Sequence, residues 1–429
     1  MSGDPATLGV AADDGDERGV CHVDMDCFYA SCERLREPAL VGEPLVVGMG
    51  YESGETHGAV ATASYEAREF GVESAMAISE ALERLPRKVE AARDPELDVE
   101  AAGFYRPVEL DYYEEVGSDV KEILHERADT VREVSIDEAY LDVTDRVDWE
   151  GAESYAADIK SAIESEVGVV ASVGVAPTMS AAKIASDYDK PNGLVVVEPG
   201  GVREFLAPLP VEEIHNVGPV TARELRSMGI ETASELAAAD PDRIRERFGE
   251  RGLAVRRFAR GEDDREVTPV GRPKSLSRES AFTEATAAAE PKREKVRALA
   301  ADVAERAERE DALYRTIGIK VVEPPFDVNT RAESLPGPVQ DADLVASTAL
   351  DLLGEFEGDE VRKLGVRVSN LAFTEGEQAS LTGFDGDGAG GTGAGDGDES
   401  AVGQGDEPEG AERASGPPDE GQTSLTEYE

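Results

Sequence analysis

The sequence predicts a multidomain α+β protein ending in a low-complexity tail, and three observations lead there. Strand-like and helical patterns alternate from Val20 to about residue 198. They give way to a run of short helices after Pro199-Gly200-Gly201, then alternate again from Ser275 to Phe373. Beyond Phe373 a Gly-, Asp- and Glu-rich stretch carries too little apolar surface to order itself. A chain of 429 residues exceeds one ordinary core and implies about two to four domains.

The elements follow from local pattern. Val20 to Met25 is a short apolar run broken by single polar residues, and reads as a buried strand; Ala30 to Glu37 has a helical tendency. Pro44 to Met49 and Gly58 to Ala63 read as strands, Ser64 to Phe70 and Ile78 to Leu85 as helices, the second closed by Pro86. Arg87 to Pro107 is polar and irregular. Tyr112 to Glu126 predicts a helix, Val131 to Val143 a strand hairpin, Tyr155 to Glu166 a helix and Val169 to Val175 a strand. Past the helical run 202–261 and a locally basic linker, the pattern gives a strand at 275–283, a helix at 291–310 and a strand at 313–322. An extended piece near 328–334, a helix at 341–356 and a strand at 361–370 complete it.

Apolar runs fall short of the ~18 residues that would span a bilayer, so the chain is expected to be soluble and cytoplasmic. Cys21, Cys27 and Cys32 are close together, odd in number and without metal-ligand spacing, as expected of reduced structural thiols. The net charge of -49 ordinarily argues against a nucleic-acid partner. Yet residues 374–429 hold 15 acidic and 1 basic residue, leaving -35 spread over the rest, with 10 lysines against 33 arginines. That balance suits a protein kept soluble in concentrated intracellular salt. At about 1 M salt the Debye length is roughly 3 Å, and contact chemistry outweighs net charge.

Three acids stand in apolar runs where an unneutralised carboxylate is costly: Asp24, and the adjacent Asp137 and Glu138. A divalent cation is the simplest neutraliser. Neighbours on a regular strand point apart, so Asp137 and Glu138 reach one site only where the chain bends. Three hard oxygen donors without thiolate favour Mg²⁺ or Mn²⁺ over Zn²⁺. Two such ions can activate an attacking hydroxyl and stabilise a departing pyrophosphate.

Four segments, Asp24-Met-Asp-Cys-Phe-Tyr-Ala30, Ala61-Thr-Ala-Ser-Tyr-Glu-Ala-Arg68, Ser135-Ile-Asp-Glu-Ala-Tyr-Leu-Asp142 and Lys190-Pro-Asn-Gly193, occur in an order and spacing that resemble the Y-family DNA polymerases of the DinB type. The resemblance runs from about Val20 to Phe373. It implies a right-hand polymerase fold with palm (20–35 and 110–198), fingers (36–109), helical thumb (199–264), linker (265–274) and little finger (275–373). An acidic N-terminus (1–19) and a disordered tail (374–429) would flank these.

The same resemblance implies low-fidelity, template-directed synthesis across damaged templates without proofreading. It makes Asp24, Asp137 and Glu138 the carboxylates that hold two Mg²⁺ ions, with Mn²⁺ as a substitute and the Met25 carbonyl as a further ligand. Tyr29 matches the ring that excludes a ribose hydroxyl by collision; alone it reads as a core aromatic at a strand end. Phe28, Thr62, Tyr65, Arg68 and Lys190 match positions around the incoming dNTP, where guanidinium, ammonium and hydroxyl groups suit phosphate oxygens. Lys183 reads equally as a solvated helix position. Small Gly58, Ala59 and Ala61 imply loose steric checking of the base pair.

For primer-template DNA, Ile214-His-Asn-Val-Gly-Pro-Val220 is similar to a helix-hairpin-helix turn that aims backbone amides at a phosphate, with Asn216 replacing the first glycine and Gly218 the second. Asn tolerates the left-handed conformation such a turn needs. Residues 275–373 carry 13 basic and 19 acidic residues, so any grip there is local; Lys274, Arg278, Arg315, Lys320 and Arg367 are the candidates. The final eight residues resemble a sliding-clamp (PCNA) binding box, with Gln422, Leu425 and Tyr428 matching and Glu429 replacing the second aromatic. A monomer is expected. The rival readings are a non-catalytic DNA- and clamp-binding scaffold, and a template-restricted nucleotidyl transferase.

Overall fold

The computed structural model describes residues 18–373 apart from Ser53, and divides into two compact units between Gly271 and Arg272. The expectations for residues 1–17, and for the tail with Gln422, Leu425 and Tyr428, lie outside the described residues. Among the described residues no helix is long and apolar enough to cross a membrane.

In chain order the first unit carries β1 (Val20–Met25), α1 (Phe28–Arg36), β2 (Leu45–Gly48), β3 (Val60–Ala63), α2 (Tyr65–Glu69), α3 (Ile78–Arg84), α4 (Lys88–Ala91) and β4 (Phe104–Arg106). It continues with α5 (Leu110–Arg127), β5 (Thr130–Glu133), β6 (Glu138–Asp142), α6 (Ala152–Glu166), β7 (Ala171–Ala176), α7 (Met179–Tyr188) and β8 (Leu194–Val196). Four helices close it: α8 (Val202–Leu206), α9 (Pro219–Ser227), α10 (Ala233–Ala238) and α11 (Pro241–Ala259).

The main sheet has the order β5-β6-β1-β7-β8, with β1 at its centre, antiparallel to both neighbours. A central strand is covered on both faces, which is why β1 reads as nearly continuous apolar sequence. Cys21, Val23 and Met25 enter one core with Tyr113 and Val120 of α5 and Ile159 and Ile163 of α6. Val20 joins Met179 and Ile184 of α7 in a second. Full burial of each large apolar side chain contributes about 1.5–3 kcal/mol. Helix α7 lies unusually close to β7: a Cβ on Gly174 would come 2.2 Å from the Ala182 carbonyl oxygen and 2.3 Å from the Ser186 nitrogen. Any side chain there would lift α7 from the sheet. The close seat, made by an Ala- and Ser-rich helix, carries Lys183 over β1.

A smaller sheet has the order β3-β2-β4 and packs its own core of Val46, Val60, Ile78, Leu85 and Tyr105. Leu45 and Val47, on the other side of β2, belong to the main core. Residues 87–107, expected to be irregular, contain α4 and β4, which pairs parallel to β2 with Leu45 opposite Phe104. Three residues are too few for periodicity to register. The expected run of short helices ends instead in the 19-residue α11, broken at Gly249 (φ 63°, ψ -154°).

The second unit is built from β9 (Ser275–Thr286), α12 (Ala289–Arg309), β10 (Ala312–Glu323), β11 (Asp327–Val339), α13 (Ala342–Leu353), β12 (Val361–Ser369) and β13 (Ala372–Phe373). Its sheet has the order β11-β10-β12-β9, with β13 pairing β10. Ile317, Ile319 and Val321 of β10 and Leu364, Val366 and Val368 of β12 pack with Val296 and Leu299 of α12 and Val345 of α13. The alternate residues face away from the helices. β11 runs further than the extended piece expected at 328–334. Pro336 and Pro338 read as breakers, and an edge strand accepts them because it has a side with no ladder to donate to.

Candidate active site

Asp24 lies directly opposite Glu138 in the β1–β6 register, so the two side chains leave the same face of the sheet. Asp137 precedes β6 and belongs to the turn from β5. The Val134 and Ser135 amides both donate to the Glu138 carbonyl, at 2.9 and 3.2 Å, and the Met25 amide donates to the Asp137 carbonyl at 3.0 Å. The bend that two adjacent acids require is therefore present. It sets Asp24, Met25, Asp137 and Glu138 side by side at one end of the sheet.

Two ammonium groups already sit on these acids. Lys183 Nζ is 2.7 Å from Asp24 Oδ2, 3.1 Å from Glu138 Oε2 and 3.4 Å from Asp187. Lys190 Nζ is 2.6 Å from the other Asp24 oxygen and 2.8 Å from Asp187. Lys183 is thus no solvated helix residue. Burial pushes the Asp24 carboxyl up, but Lys183 and Lys190 outweigh it and leave the group below its ordinary range. Burial likewise raises Glu138, and His22 and Lys183 overcome it, so this carboxyl is also held low.

Asp137 differs. Ser135 Oγ donates to it at 2.5 Å, yet burial, with the charges of Asp24 and Glu138, pushes its carboxyl above the ordinary value. Among the described residues no three His, Cys, Asp or Glu side chains are gathered into a ready-made metal cage. The donor set nevertheless fits a hard divalent cation. Its oxygens are carboxylates, two of them already share an ammonium, and the third bears crowded negative charge.

Behind Glu138 lies His22, fully buried, its Nδ1 2.7 Å from Ser186 Oγ and its ring edge-on to Tyr140. Ser186 Oγ donates to the Lys183 carbonyl, so its lone pair accepts from Nδ1–H. Nε2 stands 3.3 Å from Glu138 Oε1, within ion-pair distance but without hydrogen-bond geometry. Burial lowers the imidazole pKa more than Glu138 raises it.

A further acid went unrecognised in the sequence. Asp26, buried just past β1, accepts from Ser172 Oγ at 3.0 Å, from the Asn192 amide at 2.7 Å and from the Tyr65 hydroxyl at 3.3 Å. It ties β1, β7, the Lys190–Gly193 loop and α2 together. The signal was present in Asp24-Met-Asp26, since a spacing of two returns to the same strand face. Arg68 stacks over the Tyr65 ring at 4.6 Å while its Nε donates to the Ala63 carbonyl at 3.1 Å. Thr62 lies on β3 opposite Val47.

Tyr29 occupies the first turn of α1 and stacks on Tyr113 of α5, with ring centroids 4.6 Å apart. Phe28, the first residue of α1, is 2 % exposed and its ring belongs to the main core, which leaves its backbone as the part that could meet a nucleotide. Asn216 adopts φ 69°, the left-handed conformation the hairpin turn calls for, and Gly218 caps α9 ahead of Pro219.

In the second unit, Lys320 and Arg367 line a hollow on the helix-free face with Ser277, Thr316 and Thr330. Lys320 is 3.0 Å from Glu279, which also pairs with Lys363. Arg278 is exposed, stands opposite buried Val366 and lines a different hollow with Glu294 and Lys295 of α12. Arg315 lies at a β-bulge and donates to the Leu335 carbonyl at 3.4 Å, and Lys274 is exposed ahead of β9.

Comparison with known proteins gives three family-model matches. Residues 23–187 match the impB/mucB/samB family, 199–230 the helix-hairpin-helix motif of that family, and 273–381 its C-terminal domain. A DNA polymerase IV from Halobacterium salinarum is 63% identical over 372 residues, covering 87% of this chain and 89% of the relative. Among solved structures, a Y-family DNA polymerase chimera of Dbh and Dpo4 aligns with a TM-score of 0.72 at 29% identity, covering 83% of this chain and 99% of its own. An insertion ternary complex of Dbh DNA polymerase aligns with a TM-score of 0.58 at 27% identity over the same shares.

Proposed function

Because the chain belongs to the impB/mucB/samB family, the Y-family DNA polymerases of the DNA polymerase IV type, we propose that the acids around Asp24 are the centre of its translesion DNA synthesis. The observation that carries this is the pairing of Asp24 with Glu138 across β1 and β6, with Asp137 bonded through its backbone to Met25. Asp24, Asp137, Glu138 and the Met25 carbonyl would hold two Mg²⁺ ions, with Mn²⁺ as an alternative. When bound, the ions supply activation of the primer 3′-hydroxyl and neutralisation of the leaving pyrophosphate.

The chain's own residues do the rest. Lys183 and Lys190 keep Asp24 ionised in a buried setting, and Lys190 is placed to reach a phosphate group once released from Asp24. Arg68, held over the Tyr65 ring, presents its fork to the triphosphate, and Thr62 adds a hydroxyl. Asp26 fixes Tyr65 and the loop after Lys190 in one register. Tyr29 excludes a 2′-hydroxyl by collision. Small Gly58, Ala59 and Ala61 leave the base pair loosely checked, consistent with low fidelity and tolerance of damaged templates.

We assign the palm to 20–35 and 110–198, the fingers to 36–109, the thumb to 199–264, the linker to 265–274 and the little finger to 275–373. Primer-template DNA would meet the Asn216–Gly218 turn and the helix-free face bearing Lys320 and Arg367. The terminal Gln422, Leu425 and Tyr428 would dock a sliding clamp, with the polymerase itself a cytoplasmic monomer. The test is single-nucleotide primer extension in strong KCl with Mg²⁺. The intact chain should extend with all four dNTPs, and Asp137→Ala should lose about a thousandfold or more in rate while still binding DNA. Failure of the intact chain to extend would leave a DNA- and clamp-binding scaffold. Use of one dNTP alone would leave a template-restricted transferase.

A further inference from the structure

A ring can select a sugar by collision only if it cannot retreat. Tyr29 would escape a 2′-hydroxyl by leaving its rotamer or by pushing back whatever stands behind it. Behind it stands Tyr113, in the first turn of α5, fully buried, with the two rings overlapping at 4.6 Å between centroids and 22° between planes. Tyr113 is itself anchored. Its hydroxyl donates to Glu33 Oε1 at 2.7 Å and lies 3.3 Å from the Pro107 carbonyl. Glu33 sits one turn after Tyr29 on α1, 6 % exposed. The pair Tyr29–Glu33 on α1 therefore clasps Tyr113 by its ring and by its hydroxyl.

The helix carrying this stop is fixed against the site as well. One turn on, Gly117 lets α5 close onto the turn that bears Asp137: a Cβ there would come 2.7 Å from the Ile136 carbonyl oxygen and 3.6 Å from the Phe28 ring. The stop is thus referenced both to the helix of Tyr29 and to the carboxylates.

We propose that Tyr113 is a positioning residue for sugar selection, the backstop that holds the Tyr29 ring against the 2′ position of the incoming nucleotide. The proposal rests on the reading of Tyr29 as the sugar gate. Tyr113 touches no substrate and acts through Tyr29 alone. Its signature is a change in the ratio of deoxy- to ribonucleotide use, which a purely structural core residue would leave intact.

The experiment measures kcat and KM for one dNTP and the matching rNTP on primed DNA, using the full chain and the variants Tyr29→Ala, Tyr113→Leu and Tyr113→Phe, each checked for folding by circular dichroism. Tyr29→Ala should collapse the ratio. Tyr113→Leu should lower it by about tenfold, mostly through better use of the rNTP, with dNTP efficiency within about threefold of the parent. Tyr113→Phe keeps the ring but loses the anchor, and should lower the ratio by about threefold; it remains decisive should the leucine variant fail to fold. A parental ratio in every folded Tyr113 variant, alongside a collapsed ratio in Tyr29→Ala, overturns the backstop and leaves the gate standing. A parental ratio in Tyr29→Ala removes the gate and the backstop together.

Discussion

Replacing Lys183 by methionine removes one ammonium and little else, because the unbranched side chain keeps most of the lysine's apolar stem. In the parent that ammonium serves Asp24 at 2.7 Å and Glu138 at 3.1 Å. At an effective dielectric constant of about 20, each contact is worth roughly 5–6 kcal/mol of Coulomb attraction before desolvation is counted. Desolvation takes back most of it, and breaking a buried pair by deleting one partner costs about 3–5 kcal/mol. Lys183 is 19 % exposed, and Asp24 retains Lys190, so the low end applies, about 3 kcal/mol. For a unit of this size that lowers Tm by roughly 6–12 °C.

The assay is a thermal melt of the full chain in strong KCl with EDTA, repeated with excess Mg²⁺. The variant should melt well below the parent in EDTA. Added Mg²⁺ should narrow the gap, since Glu138 then lacks the Lys183 ammonium and accepts the ion more readily. A variant that melts with the parent in EDTA would refute the reasoning and return Lys183 to a solvated helix face.

Two further outcomes are expected. Asp137 has its carboxyl raised by burial and by Asp24 and Glu138, so the folded state prefers it protonated, and that preference is lost as pH rises through the folded value. Asp137→Asn should therefore melt above the parent at neutral pH in EDTA, the difference closing as pH falls into the ordinary carboxylate range. A lower melting temperature at neutral pH would contradict the crowding. On the second unit, Glu279 occupies both Lys320 and Lys363. Glu279→Gln frees two cations for DNA phosphate, and should steepen the slope of log affinity against log salt by about one to two, measured by fluorescence anisotropy across a KCl series. An unchanged slope would take phosphate away from that face.

Much of the site was legible because its residues lie in short runs whose strand register is implicit. Asp24 and Glu138 face each other wherever Val20–Met25 and Glu138–Asp142 pair antiparallel. The adjacency of Asp137 and Glu138 could not be resolved from alternation, because the answer is a turn that ends one residue before the strand begins. Lys183 was ambiguous for a related reason: its environment depends on how closely α7 sits on Gly174, which no helical periodicity encodes. The faces taken by Phe28 and Arg278 could not be read from pattern, because a side chain's face depends on the element it belongs to. Phe28 starts a helix packed on α5, and Arg278 takes the helix side of β9 because Leu276 is in the core. Short β4 and proline-bearing β11 fell below the resolution of pattern, one through length and the other because edge strands tolerate what central strands do not.

The central claim is that Asp24, Asp137 and Glu138 together bind divalent metal for nucleotidyl transfer. Its most direct test counts Mn²⁺ bound per chain by electron paramagnetic resonance, with primer-template and a non-hydrolysable dNTP present, in the parent and in Asp24→Asn and Asp137→Asn. The account predicts two ions in the parent and a loss in each variant with DNA binding retained. An undiminished count in both variants would place the metal elsewhere and contradict it.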